Sequence, residues 1–345
     1  MSVIRTLITG RGVIRTLQSV TRQPSSMLNE VSVADNATGP TLRVGAARPP
    51  TAAARGWLYE TELLYSCASL FESHSQASAW PPLSWDALSD LQRMQLTLGG
   101  AVHVIKRHIV EHANGGQSNE WHALDIAALA LNATRGQCFS HYGEQAGQEL
   151  CKLLHRYKGQ VRGKHVLVLG SQTPWLEAAL LAFGASAITT VEYQPTRCLG
   201  GGLCASIKVM SPSAVTYTKK KRGMFEVAFS FSSLEHDGLG RYGDPIRPYA
   251  DLETVQKVHC MLRPGGMLFL ALPINLGRDL LLFNAHRVYG PLRLPLLTAN
   301  FDLLETVGQI TDTRLAMTNP FQPWLVLRAF ARGQQHKYSR TTAYQ

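Results

Sequence analysis

Residues 164–192 read KHVLVLGSQTPWLEAALLAFGASAITTVE. A short apolar run, His165–Leu169, ends on Gly170. Pro174–Phe183 then carries apolar residues at helical spacing and stops at Gly184. Ala187–Val191 is a second β-rich run, ending on Glu192. Strand, turn, helix and strand in so short a span is the repeating unit of a parallel sheet, because parallel neighbours need a crossover.

The same texture continues downstream. Ala214–Tyr217 and Phe225–Phe231 read as the third and fourth strands. Leu252–Met261 reads as a helix stopped by Arg263-Pro264-Gly265-Gly266, and Met267–Leu272 as the fifth strand. Phe301–Thr306 and Trp324–Ala329 supply the last strands. Short apolar strands alternating with helices predict a doubly wound, mostly parallel α/β sheet covered on both faces, spanning 159–333.

Upstream, 56–158 reads as a helical extension. Leu58, Leu63, Leu64, Ala68 and Phe71 recur at helical spacing, and Ser84 is a candidate N-cap for a helix running to Leu98. Further helices are predicted over 101–112, 121–132 and 143–156, with no strand alternation. Residues 1–55 form a basic tail and 334–345 a polar one. Before Trp57 there are seven arginines, no lysine, and only Glu30 and Asp35, so half of the net charge of +10 sits in this tail. An Arg-rich, Ser-bearing, acid-poor start has the pattern of a mitochondrial transit peptide; the alternative is a disordered tail on a cytoplasmic protein. Apolar stretches are interrupted well before the ~18 residues of a membrane helix, so no span is predicted. Cys67, Cys138, Cys151, Cys198, Cys204 and Cys260 contain no Cys-x-x-Cys pair and read as scattered buried thiols suited to a reducing compartment.

Ligands of open α/β sheets bind outside the carboxyl ends of the strands. Gly170 allows a tight turn there, and Ser171 and Thr173 lead into a helix whose free N–H groups point at the crevice. Glu192, some twenty residues past Gly170, is placed to accept ribose hydroxyls. The fourth strand ends Ser232-Ser233-Leu234-Glu235-His236, bringing Ser233 to the cofactor side and Glu235 and His236 to the presumed reaction centre. His236 is a candidate proton acceptor. Arg241, Tyr242 and Asp244 in the next loop, and Asn284, His286 and Arg287 after the fifth strand, are candidate substrate contacts. His108-Ile-Val-Glu111-His112 matches an inverted zinc-peptidase pattern, but without a third ligand no metal site is predicted. Lys219-Lys220-Lys221-Arg222 reads as a solvated turn that leaves RNA open as a partner.

"FSSLEH" at 231–236, followed by "LRPGG" at 262–266 and a strand, resembles the class I S-adenosylmethionine-dependent methyltransferases. "VLGSQTPWLEA", "TTVEY", "FSSLEHDGLGRYGDP", "LRPGGMLFLALP" and "NAHRVYG" more narrowly resemble methyltransferase-like proteins of the domain-of-unknown-function family 268, from Val166 to Gly290. The resemblance implies a Rossmann-like fold, S-adenosylmethionine as cofactor, and methyl transfer to an unknown acceptor. The usual glycine-rich turn is here Gly170 followed by Ser171-Gln172-Thr173-Pro174-Trp175. That departure keeps a second reading open, a catalytically inactive module serving a larger organelle assembly.

Overall fold

The computed structural model describes residues 4–8, 14–18, 67–71, 82–109, 119–215, 223–310 and 322–330. Met1–Pro40 is one unit, in which strands β1 (Ile4–Ile8) and β2 (Ile14–Gln18) pair antiparallel. Everything below concerns the second unit, Thr41–Gln345.

Its centre is a seven-stranded sheet. In chain order the strands are β5 (His165–Leu169), β6 (Ala187–Val191), β8 (Ile207–Met210), β9 (Phe225–Phe231), β10 (Leu262–Ala271), β13 (Phe301–Val307) and β14 (Trp324–Ala329). Their spatial order is β13-β14-β10-β9-β5-β6-β8. The five strands from β10 to β8 are parallel, and β14 inserts antiparallel between β10 and β13. The predicted doubly wound, mostly parallel sheet is therefore present.

Side chains alternate across β5, so Val166 and Val168 face one layer and Leu167 and Leu169 the other. Both faces are dry, which explains the unbroken apolar run. The first layer contains α3 (Ala123–Thr134), α4 (Glu144–Arg156) and α5 (Trp175–Ala182); Ile126, Leu150, Leu154 and Leu180 pack there on Phe229 and Phe269. The second contains α6 (Ala250–Met261) and α7 (Arg293–Leu297), through Val255, Val258 and Leu297.

Several expectations are corrected. Residues 101–112 are not helical where described: β3 (His103–Lys106) pairs in parallel with β11 (Leu280–Phe283), which also pairs with β12 (His286–Val288). β4 (Asn119–His122) pairs in parallel with β7 (Thr196–Leu199). Four-residue strands are too short to show alternation, and their partners lie far along the chain, so tertiary pairing overrides local propensity. The helix capped by Ser84 is instead a 3-10 turn, Trp85–Ala87, followed by α2 (Asp90–Leu96), whose cap is Ser89 in a capping box with Gln92. The third sheet strand is Ile207–Met210; Ala214 lies in the 3-10 turn Pro212–Ala214. As an edge strand, β8 buries Ile207 and exposes Lys208, which hid it among polar neighbours.

The cysteines are not isolated thiols. Cys67–Cys260, Cys138–Cys151 and Cys198–Cys204 are disulfides. Their separations of 193, 13 and 6 residues match no common spacing motif, which is why the sequence did not reveal the pairing. Among the described residues, no helix is long and apolar enough to cross a membrane. The tail 21–55, Glu111 and His112, the Lys219–Arg222 run and 334–345 lie outside the described residues.

Phe229 is fully buried and stacks on Phe269 with centroids 4.4 Å apart. Phe229→Ala opens a cavity between the central strands and is expected to lower stability by about 3–5 kcal/mol. Chemical denaturation would check this; a loss below 1 kcal/mol would contradict the packing described.

Candidate functional site

The site begins where β5 turns. Gly170 has φ +68°, and a Cβ there would lie 2.0 Å from Ser233 Oγ. Left-handed backbone and contact with the end of β9 together demand glycine. The indole N–H of Trp121 donates to Gln172 O at 3.1 Å, pinning the turn from β4. Glu192, at the end of β6, accepts the Ser171 N–H at 2.8 Å on Oε2 and the Gln194 N–H at 3.0 Å on Oε1. The carboxylate thus joins the turns that follow two adjacent strands.

These turns open on a cavity of about 510 Å³, within the ~300–1,000 Å³ range of small-molecule sites. Gly170, Ser171, Thr173, Glu192, Ser233 and His236 all border it. Trp175 stands in its wall, buried and edge-on to Phe231 at 5.3 Å. The bulk of the indole goes into the core, so the cavity stays open beside it.

Glu177 is a functional-site neighbour that sequence reading missed; a carboxylate in the first turn of a helix looks like a surface charge. It is fully buried, with Thr190 Oγ1 donating to its Oε1 at 2.8 Å and Ser171 Oγ 2.9 Å from Oε2. Burial pushes its carboxyl up to about 7, against the lowering effect of these hydrogen bonds. The Ser171 hydroxyl has one hydrogen and also lies 3.0 Å from Thr173 O. A protonated Glu177 donating to Ser171 Oγ, which then donates to Thr173 O, satisfies all three groups.

Beyond β9 the chain is held in an unusual course. Ser232 has φ +47°, a conformation costly for a side-chain-bearing residue. Its hydroxyl donates to Glu235 Oε1 at 2.7 Å and accepts from Gln322 Nε2 at 3.0 Å. Glu235 is buried away from the cavity lining, and burial pushes its carboxyl up to about 7. His236 Nδ1 lies 2.6 Å from Ala285 O, so it donates there and leaves Nε2 as the acceptor. Burial holds the His236 imidazole down at about 3, so it is neutral at physiological pH. Asp237 borders the cavity, accepts from Thr254 Oγ1 at 2.7 Å, and is pushed up to about 7 by burial.

The predicted substrate contacts divide. Tyr242 and Asp244 border the cavity, and Asp244 also accepts the Gly240 and Tyr242 N–H groups. Arg241 lies over the Tyr242 ring at 5.1 Å and is not in the described lining. His286 is 6.1 Å from the His236 ring and is likewise outside the lining. Asn284 is fully buried, accepts the Ile109 N–H and donates to Leu239 O. Arg287 is buried too, donating to Asp237 O at 2.6 Å and Pro248 O at 3.3 Å. Asn284 and Arg287 therefore shape the loop that carries His236.

A buried ion cluster completes that support. Arg293 Nη2 lies 2.5 Å from Asp251 Oδ1, Arg287 Nε lies 3.7 Å from Oδ2, and the Tyr289 hydroxyl donates to Oδ2 at 3.0 Å. Burial pushes the Asp251 carboxyl up, but Arg287 and Arg293 outweigh it and hold the group below its usual value. Among the described residues, no group of three histidines, cysteines or carboxylates could hold a metal.

The strand order, the antiparallel β14 and a cavity at the strand ends define a Rossmann-like, doubly wound α/β protein. A family model described as "Caenorhabditis protein of unknown function, DUF268" matches residues 163–336, and the chain belongs to that family. No curated protein matches the sequence significantly. Similar solved structures include the Burkholderia thailandensis 1,6-didemethyltoxoflavin-N1-methyltransferase, with 16% identity over 60% of this chain and 81% of that one and a TM-score of 0.37. An S-adenosylmethionine dependent methyltransferase from Mesorhizobium loti shares 12% identity over 53% of this chain and 99% of its own, with a TM-score of 0.34. The branched-chain polyamine synthase from Thermus thermophilus shares 12% over 54% and 56%, with a TM-score of 0.32.

Because the folded Glu177 carboxyl titrates at about 7 rather than 4.5, its stabilising contribution is present at low pH and lost as pH rises through that window. Glu177→Gln should therefore gain stability relative to the unmodified protein between pH 4.5 and pH 8, by on the order of 3 kcal/mol at most. Urea unfolding of both proteins at the two pH values measures it; a constant difference would show that Glu177 is not buried as described.

Proposed function

We propose that the chain is an S-adenosylmethionine-dependent methyltransferase working in the strand-end cavity. The observation that carries this reading is the joint opening of the Gly170 turn and the Glu192 carboxylate onto that one space. The residues fit such a cofactor: Gly170 keeps the turn low, and each Glu192 oxygen has a lone pair left for a ribose hydroxyl. Ser171, Thr173 and Ser233 offer polar groups along the same rim. Bound there, the cofactor would supply an electrophilic sulfonium methyl.

The protein's own contribution is orientation and proton handling. His236 presents a neutral imidazole whose Nε2 can accept a hydrogen bond from an O–H or N–H methyl acceptor. Its low basicity makes it a positioning group first and a proton acceptor only if the proton passes on. Glu235, 3.8 Å from Nε2, is the neighbour that would receive it. Tyr242 and Asp244 are the substrate contacts retained in this proposal; Arg241 and His286 act through Tyr242 and His236.

A second reading has its own support. Both Glu192 oxygens already accept backbone N–H groups, as they would in a module retained only for structure and assembly. For location, three disulfides favour an oxidising compartment over the matrix or cytosol.

Calorimetric titration with S-adenosylhomocysteine tests the first reading. Glu192→Ala removes a charged acceptor and should weaken binding about ten- to a hundredfold. Absence of binding by the unmodified protein at millimolar ligand would decide for the structural module.

A further inference from the structure

The crossover from β8 to β9 is where a doubly wound sheet would place a helix on the α6 side. Its described residues form only the 3-10 turn Pro212–Ala214. That side is met by α1 (Cys67–Phe71), from far earlier in the chain. Cys67 is bonded to Cys260 in the last turn of α6. Five residues are too few to hold a helix by themselves, so the position of α1 rests on this bond and on side-chain contacts.

The contacts reach the cavity. Phe71 packs against the buried cluster containing Leu169, Val258 and Met261, as do Val191 and Val215. Leu70, Phe71, Val191, Val215, Val258 and Met261 all border the cavity and make one part of it apolar. The Lys257 ammonium lies 5.8 Å from the Phe71 ring centroid and holds the ring from the α6 side. Val191 immediately precedes Glu192, so this apolar part adjoins the carboxylate assigned to the ribose. A flat heteroaromatic base gains most by shedding water against apolar and aromatic surface.

We infer that Leu70 and Phe71, held in place by the Cys67–Cys260 disulfide, form the wall against which the base of the bound nucleoside rests. The inference rests on the cofactor reading above. It makes Phe71 a binding residue and the disulfide a positioning element: nucleoside affinity depends on a covalent tie between the segment before the sheet and the helix beside it.

The test is calorimetric titration of the full-length protein with S-adenosylhomocysteine and with adenosine, alongside thermal unfolding. Cys67→Ser/Cys260→Ser and Phe71→Ala should each weaken both ligands about tenfold. Phe71→Leu, which keeps an apolar side chain, should restore most of the affinity. Cys198→Ser/Cys204→Ser, removing a bond away from the cavity, should lower thermal stability and leave affinity unchanged. Unaltered affinity in the first two variants, with the unmodified protein still binding, overturns the inference and spares the cofactor reading. Equal weakening by both cysteine double variants also overturns it, because general loosening then explains the loss. Weakening for S-adenosylhomocysteine with adenosine unaffected overturns it by placing the wall at the amino-acid end. No binding by the unmodified protein overturns the cofactor reading and this inference together.

Discussion

The Asp251 carboxylate, buried between Arg293 and Arg287, is the constraint on which the site side of the molecule depends. Such a cluster adds little net stability, since desolvating three charges costs about what their attraction returns. Its effect is geometric. Asp251 belongs to α6, Arg287 to β12 and Arg293 to α7, so three elements that share no ladder are fixed to one point. From there the guanidinium groups reach outward: Arg287 donates to Asp237 O and Arg293 to Pro248 O. The loop from His236 to Pro248, which has little regular structure of its own, is thereby hung on buried charges.

The same loop is set against a group of buried titratable side chains at the sheet end. Glu177, Glu235 and Asp237 all have carboxyls raised to about 7 by burial, and the His236 imidazole is held neutral. The burial that shifts these groups also lowers the local dielectric and so strengthens whatever dipoles are aimed there. The left-handed Ser232, satisfied from two sides by Glu235 and Gln322, shows that the surroundings over-determine this turn. Backbone strain of that kind persists only where packing enforces it.

How far the sequence could be read depended on whether a signal was local. The runs around His165–Leu169, Phe225–Phe231 and Trp324–Ala329 are buried on both faces, and that burial writes an apolar string anyone can see. Gly170 and Glu192 were visible because strand-end chemistry follows from the position of the strand. β3 and β4 were hidden because their register is set by β11 and β7, not by their own four residues. Arg287 looked like a substrate contact because an arginine in a loop usually meets solvent; only the fold shows Asp251 beside it. Arg293, Glu177 and the three disulfides were missed for the same reason, since each owes its role to a partner or a layer supplied by tertiary structure.

The long reach of Cys67–Cys260 also shapes how the protein can be made. The bonds Cys138–Cys151 and Cys198–Cys204 close loops of 13 and 6 residues and can form as soon as their segments emerge. Cys67 and Cys260 are separated by 193 residues. At synthesis rates of about 5–20 residues per second, Cys67 waits about 10–40 s for its partner while four other cysteines appear. During that interval each is a rival for it, so correct maturation calls for thiol–disulfide exchange and not for oxidation alone. Expression in a compartment that oxidises without reshuffling should then yield a protein with its local bridges right and its wall segment wrongly tied.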